Sequence, residues 1–525
     1  MNAKKKSVSK SGRKPEQKVS SKLNKKPVAT PVEAKQDVLK LKLSNFFTHY
    51  YQQIFIFLFA SIALYWTAVS NDFYLKWAEE YSLFIPTRYY FQDCMKFSGG
   101  LLTYTGTFLT QFYYYPALGS IIFIAILFLI QYLTLKTFRI SRKYYPLSFV
   151  PVLMLLLSIT QLGYVWMLLK SPGYFFSNAL GIAAFLLMFI VYRNTSNVAL
   201  RTAVLMLVII AGYPLFGFYA LYTGFLCVFY ELIQLIRNKQ VLRMIPVVAG
   251  FVLIVVVPLY FYYYVYHYTQ FIDIYTAGLP RFEYNLRELV LWIPFLVILS
   301  AFVLFVAFLF PKADKDNVKH RGGYLLSVST FVLAVVVTCT MSYRDENFTA
   351  GTRIYNAIEH NNWNRVISIV ENLEGKPTKN IVLCYRMASL LTISKAANDA
   401  ELTQENTIPP RCIRATLPIK VQMGGISFYY NSGEINKCYR WCMENSVEFG
   451  MRVAYLKYMV KCAIVNGEYK LAEKYNSILM SSMFYKSWAK RYQNFIENPE
   501  LTKDDNEMVL LRSLIDVNEQ EFEQL

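Results

Sequence analysis

The feature that most constrains this chain is a succession of apolar blocks, each about 20 residues long, set between short polar connections. At 1.5 Å of rise per residue, a helix of that length crosses a hydrocarbon layer of ~30 Å. Reading for such blocks gives nine candidate spans: 53–70, 116–135, 147–168, 174–192, 200–213, 215–236, 241–263, 289–310 and 324–341. The fifth is short, and Gly212-Tyr213-Pro214 makes it a tight re-entry into the sixth. Proline breaks the helical ladder there, so neighbouring protein must satisfy the freed carbonyl.

Charge is spread unevenly. Residues 1–50 hold thirteen Lys and Arg against Glu16, Glu33 and Asp37, a net of +10, interleaved with Ser, Pro and Val. Such a stretch cannot bury a core and is expected to be a disordered cytoplasmic tail that meets anionic lipid. It has no aromatic reader among its first 40 residues, so the basic balance does not predict a nucleic-acid partner. No apolar run precedes residue 50, and the first span is expected to serve as the targeting signal.

With the N-terminus inside, the inner connections carry Lys136, Arg139, Arg142 and Lys143; Arg193 and Arg201; Arg237, Lys239 and Arg243; and Lys312, Lys315, Lys319 and Arg321. The outer ones carry fewer: Lys76, Arg88 and Lys96 in a loop of over 40 residues, then Lys170, Arg281 and Arg287. That bias follows the positive-inside rule. The expectation is a multi-pass inner-membrane protein with its N-terminus cytoplasmic. An odd number of spans then places the C-terminal domain in the periplasm. Glu231, near the inner end of the sixth span beside Arg237, is expected to snorkel to water.

Beyond Ser342 the pattern changes to balanced charge, 22 basic and 22 acidic residues, with helical periodicity. Gly433-Glu434 and Gly467-Glu468 lie 34 positions apart, each between an apolar helix and the next, with Cys438 in register with Ala472. This period resembles a tetratricopeptide repeat. A helix pair with Asn361-Asn362-Trp363 at its turn reads as a degenerate third copy, and 399–410 as a polar break. The fold class expected is therefore all-α: a polytopic membrane domain (51–342) followed by a helical-repeat soluble domain (343–525). A repeat array of this kind presents a surface to a protein or peptide partner, or braces the membrane domain.

The eight cysteines do not fall into the close-spaced pairs that zinc needs and read as buried thiols. No Gly-rich phosphate loop, HExxH or GxSxG is present, which argues against soluble-type ATPases, metalloproteases and serine hydrolases.

The first outer loop, 71–115, holds the remaining candidates. Asn71-Asp72 follows the first span directly, then come Glu79-Glu80, Arg88 and Asp93. Next, the run from Gly99 to Tyr113 reads as helices in the membrane interface. A second cluster, His267, Asp273, Arg281, Glu283 and Glu288, follows the aromatic run Tyr260 to Tyr264. An acid fixed at the lip of a span suits a lipid-linked substrate, as a base toward an acceptor hydroxyl or a contact for a divalent cation. An ordinary solvated loop is the competing reading.

Asp72 at the end of the first span, the long first outer loop, the many spans and the soluble tail together resemble the C-type integral-membrane glycosyltransferases. That resemblance implies a polyprenyl-phosphate-linked sugar as substrate, Asp72 as base or metal contact, and possible dependence on a divalent cation. No paired Asp-x-Asp or Asp-Glu stands at that lip. Alongside Asp72, the substrate-binding candidates are Arg88, Asp93, His267, Arg281 and Glu283, with Arg88 and Arg281 placed to clamp a pyrophosphate. Three stretches make the whole chain resemble an uncharacterised Bacteroidota family of multi-span proteins with a repeat-bearing tail: Gly99-Gly100-Leu101-Leu102-Thr103-Tyr104, Trp441-Cys442-Met443-Glu444, and Gly467-Glu468 through Tyr475. The alternative function is a non-enzymatic scaffold whose tail docks envelope proteins.

Overall fold

The computed structural model describes residues 50–239, 241–280, 282, 289–309, 322–396, 425–431, 433–509, 511, 512 and 515. Residues Phe57–Leu525 form one compact unit, and the first turns of the chain's first helix, up to Ile56, fall in another. The basic tail at 1–49 and the break at 399–410 lie outside the described residues.

Helix α1 (Tyr50–Ser70) leads into three short helices, α2 (Asp72–Glu80), α3 (Arg88–Cys94) and α4 (Gly100–Thr110). Then come α5 (Pro116–Phe138), α6 (Arg142–Thr160), α7 (Tyr174–Asn194), α8 (Val198–Ile210), α9 (Gly212–Phe216), α10 (Phe218–Asn238), α11 (Val241–Tyr264), α12 (Leu289–Phe308) and α13 (Gly323–Met341). Among the described residues, α1, α5, α6, α7, α10, α11, α12 and α13 have the length and composition to cross a membrane, so this is an integral multi-pass membrane protein. No strand occurs among the described residues. The fifth predicted span differs from the rest: α8 has only 13 residues and is continued past Ala211 by the five of α9.

Burial ranks the helices. The most apolar stretch of α6 is 83% buried, against 22% for α1, α11 and α13, so α6 is central and those three are peripheral. Close approach is made by small residues: a Cβ at Gly181 of α7 would sit 2.3 Å from the Tyr219 ring of α10.

Two expectations change on contact with the fold. The third span was expected over 147–168, but its helix ends at Thr160 and 163–168 forms a 3₁₀ stretch. Its apolar residues face protein: the Trp166 ring lies 5.4 Å from Trp77 and 5.3 Å from Tyr81, both of the first loop. Likewise α4 does not lie free at an interface. None of its residues is exposed, and a Cβ at Gly106 would collide with Ser177 of α7.

At the end of the bundle holding Arg139 and Lys239, Glu231 is 1% exposed and does not reach water. Arg201 and Arg243 each hold one of its carboxylate oxygens at 2.8 Å, and Tyr192 donates to it at 3.1 Å. The expected snorkelling beside Arg237 is replaced by a buried ion triad.

At the opposite end three loops meet through backbone. Gly99 N–H donates to Pro214 C=O at 3.0 Å, Phe218 N–H to Ala277 C=O at 2.7 Å, and Ser98 Oγ to Tyr213 C=O at 2.7 Å. Phe218 N–H thus bonds to Ala277 and not to Pro214 C=O, four residues back, which is met by Gly99 of the first loop. Gly217 holds φ 57°, ψ −128°, a region open essentially to glycine.

Beyond α13 the chain is helical: α14 (Glu346–Glu359), α15 (Trp363–Glu371), α16 (Lys379–Ala396), α17 (Gly425–Asn431), α18 (Ile435–Phe449), α19 (Val453–Val465), α20 (Tyr469–Met480) and α21 (Lys486–Glu497). One turn recurs three times. Gly433, Gly467 and Asn361 are left-handed at φ 80°, 75° and 52°. The next residue donates back over five positions in each: Glu434 to Tyr429 at 2.9 Å, Glu468 to Ala463 at 2.8 Å, Asn362 to Ala357 at 2.9 Å. That bond closes the preceding helix and starts the next. Cys438 and Ala472, the matched small residues, are both 0% exposed.

Candidate functional site

Helix α2 grows directly from the end of α1 and is amphipathic in an unusual way. Its buried face carries Tyr74, Leu75, Trp77 and Ala78, and also Glu79 and Glu80. Burying a carboxylate without partners is prohibitive, so the fold must supply them. It does so from the C-terminal helices. Tyr485 donates to Glu79, and Tyr355 of α14 donates to Glu80 Oε2 at 2.9 Å. Lys457 of α19 lies 3.9 Å from Glu80 and pairs with Glu359, to which Tyr458 also donates at 2.8 Å. One turn further on, Lys461 pairs with Glu507 at 2.8 Å.

These groups titrate unlike their free counterparts. Burial pushes the Glu79 carboxyl well above its ordinary range, with the Tyr485 hydrogen bond opposing. Burial also raises Glu80, held back by Lys457. For Glu359 burial is outweighed by Lys457, Lys461 and Tyr458, which hold it down to about 2. The cavity beside Glu79 and Tyr485 is about 10 Å³, room for about one water and no substrate. The network is therefore a clasp between the first loop and the tail. Around it, Val453 N–H donates to Ser82 C=O at 3.2 Å, and Arg452 donates through both Nη atoms to Met167 C=O at 3.2 Å.

An open groove lies at the other end of α2. Its volume is about 910 Å³, and its walls come from the end of α1 (Tyr65, Trp66, Ser70, Asn71), the start of the tail (Tyr343 to Glu346, Arg353) and the end of α15 (Asn372 to Glu374). The last turn of α1, Tyr65–Ser70, is a π-helical turn, a distortion frequent at functional sites. Asn71 Nδ2 donates to Trp66 C=O at 2.7 Å and holds that turn. The Arg344 guanidinium lies 5.5 Å from the Trp66 ring and donates to Cys339 C=O at 3.1 Å. Arg353, on α14, is exposed. Two of the acids are already engaged: Asp345 accepts from Asn347 N–H at 2.8 Å, and Glu346 from Gly375 N–H at 3.1 Å.

The predicted site residues are not gathered into one place. Asp72 is the first residue of α2, half-buried, next to Asn71 of the groove wall. Arg88 opens α3 and is exposed; Asp93 is exposed and pairs with Lys96 at 2.7 Å; His267 is exposed in the loop after α11. Arg281 and Glu283 lie outside the described residues. Among the described residues no three of His, Cys, Asp and Glu converge as a metal site. Cys438, Cys442 and Cys462 are fully buried in one apolar cluster, as structural thiols are.

Sequence reasoning missed Arg344, Arg353 and the partners of Glu79 and Glu80. One signal was present. Lys457 and Lys461 stand four apart in Val-Ala-Tyr-Leu-Lys-Tyr-Met-Val-Lys-Cys-Ala, an otherwise apolar helix. Cations on a buried face require acids from elsewhere.

No curated protein and no solved structure matches this chain. The model of the Family of unknown function (DUF6057) matches residues 48–524, and the chain belongs to that family.

Proposed function

We propose that this protein transfers a sugar from a polyprenyl-phosphate-linked donor at the membrane face that carries its C-terminal helices. The observation that carries this reading is the groove of about 910 Å³ at the lip of α1, with Arg344 and Arg353 on one wall and Ser70 and Asn71 on the other. Its volume is in the range of small-molecule sites. Guanidinium groups suit the phosphate of the donor, binding it through paired N–H donors. Asp72 follows the groove wall directly and acts as base. It takes the proton of an acceptor hydroxyl as that oxygen bonds to the sugar's anomeric carbon. The bond from that carbon to the phosphate oxygen breaks, and polyprenyl phosphate departs between the two arginines.

The same-face arrangement is supported by connectivity. Helix α2 touches α14 and α19, so the chain crosses an even number of times between the end of α1 and the start of α14. Helices α5, α6, α7, α10, α11, α12 and α13 are seven. The eighth is α8 with α9: Arg201 near its start joins the Glu231 triad at one end, and Tyr213 and Pro214 meet the first loop at the other. Residues 198–216 are 19 in number, about 28 Å of helix, close to a membrane's thickness. Nine spans with a cytoplasmic N-terminus put the groove and the tetratricopeptide-like tail outside. There the tail braces α2 and offers its outer surface to an acceptor protein.

The test uses the full chain in vesicles with a photoreactive polyprenyl phosphate, and envelope glycans of cells carrying the same variants. Arg344→Ala with Arg353→Ala should lose most crosslinking, while Asp72→Asn should keep crosslinking and lose the glycan. Unchanged crosslinking and unchanged glycans in folded variants refute the transferase and leave the scaffold reading.

A further inference from the structure

The basic end of the bundle has features that the groove at the opposite end does not explain. Between residues 193 and 243 stand Arg193, Arg201, Arg237, Lys239 and Arg243 against the single acid Glu231. Glu231 neutralises only one of the two arginines it holds, so the triad retains a positive charge within the protein surface. Arg237 and Lys239, in the last turn of α10 and just beyond it, are exposed. Directly beside the triad, the first turns of α8 and α11 enclose a groove of about 610 Å³ lined by Val198, Ala203, Met206, Leu242 and Ile245. Arg201 and Arg243, the two arms of the triad, belong to these same first turns. The groove opens sideways: Met206, Leu242 and Ile245 are 40%, 68% and 54% exposed.

We infer that this end binds an anionic phospholipid, with an acyl chain in the α8–α11 groove and its phosphate at Arg243, Lys239 and Arg237. The groove supplies an apolar slot of acyl dimensions on the lateral surface of the bundle. Arg243, next in sequence to Leu242 of the lining, and Lys239 and Arg237 just before it supply the complementary charge, as basic pockets between membrane helices do for anionic headgroups. A zwitterionic lipid fills the same slot but leaves that charge uncompensated. Glu231 is a positioning residue here: it holds the guanidinium of Arg243 at 2.8 Å.

The experiment is native mass spectrometry of the full chain, titrated with dioleoylphosphatidylglycerol or dioleoylphosphatidylcholine. Phosphatidylglycerol should be retained at least about fivefold better, the effect of one surface cation. Arg237→Ala and Lys239→Ala, both at exposed positions, should each lower that preference by about fivefold. Ala203→Trp, which fills the slot and alters no charge, should reduce retention of both lipids. Equal retention of the two lipids overturns the inference, as does retention unchanged by Ala203→Trp in a variant whose thermal midpoint matches the parent. Displacement of the lipid by millimolar inorganic phosphate alone also overturns it, because the site is then one for a free anion.

Discussion

Tyr355 donates its phenolic proton to Glu80 across 2.9 Å, linking the helix that leaves the first span to the first helix after the last span, 275 residues later. The bond joins two ends of the membrane domain through protein alone. It gives the buried Glu80 carboxyl, beside Trp77, one of the partners that burial requires. It also makes the clasp, rather than the loop, the unit on which mutations act.

Acid should weaken the clasp through Glu359. Its folded carboxyl is held at about 2, below the ordinary value of 4.5, so its contribution is complete above pH 4.5 and is lost as pH falls toward 2. Glu359→Gln should therefore lower the thermal midpoint at pH 7, and the gap from the parent should narrow as pH falls from 4.5 toward 2. A constant gap across pH would contradict the assignment.

Glu79 has the opposite sign. Its folded carboxyl lies above its unfolded value, so its contribution is complete below pH 4.5 and declines as pH rises from there toward the raised folded value. Glu79→Gln keeps an acceptor for Tyr485 and should be at least as stable as the parent at pH 8, with a flatter pH profile. Marked destabilisation at pH 8 would show that Glu79 is charged and paired in the native state.

Lys457 is the shared cation of Glu80 and Glu359, with its side chain 7% exposed. Lys457→Met leaves two buried acids without their cation and should cost about 3–5 kcal/mol. Combining it with Glu359→Leu should recover much of that loss, because an apolar pair replaces a buried ion pair well. A double-mutant cycle on thermal or denaturant unfolding measures the coupling; additive losses would mean that the pair contributes nothing jointly.

Gly217 and Gly467 both occupy positive φ but differ in surroundings. A Cβ at Gly217 would lie 2.2 Å from Ala277 C=O, whereas nothing lies within 4 Å of one at Gly467. Gly467→Ala should cost only backbone strain, about 1–2 kcal/mol. Gly217→Ala should cost more and disturb the three-loop junction. Comparable yields and midpoints for the two variants would count against the packing described.

Single cysteines can test the proposed arrangement of nine crossings. Val447 is 85% exposed on α18, Arg88 is exposed on α3, and Lys239 is exposed at the basic end. A membrane-impermeant maleimide should label Val447→Cys and Arg88→Cys in intact cells, and Lys239→Cys only after lysis. Labelling of Val447→Cys and Arg88→Cys from different sides would remove the shared-face arrangement and the proposed reaction with it.

Helices and their turns were legible where the determining forces are local. Apolar length marked the spans, and Gly433 and Gly467, 34 apart, marked the turns because a left-handed residue between two helices nearly always requires Gly or Asn. Asn361 fills the same role at the turn between α14 and α15. Hydropathy failed at 161–168, since an apolar stretch reads alike whether lipid or protein covers it, and Trp166 is covered by Trp77 and Tyr81. It failed again at Glu231, whose sequence neighbour Arg237 is not its partner.

The chain by itself determined its medium, its helical class and the places where its helices turn, because hydrophobic length, proline and left-handed glycine act within a few residues. Only the tertiary structure decided which charges are neutralised and where space remains. Glu80 finds Tyr355 and Lys457, and the lip of α1 finds Arg344 and Arg353, across hundreds of residues. A Coulomb interaction depends on distance in space and on exclusion of water, and neither is encoded by separation along the chain.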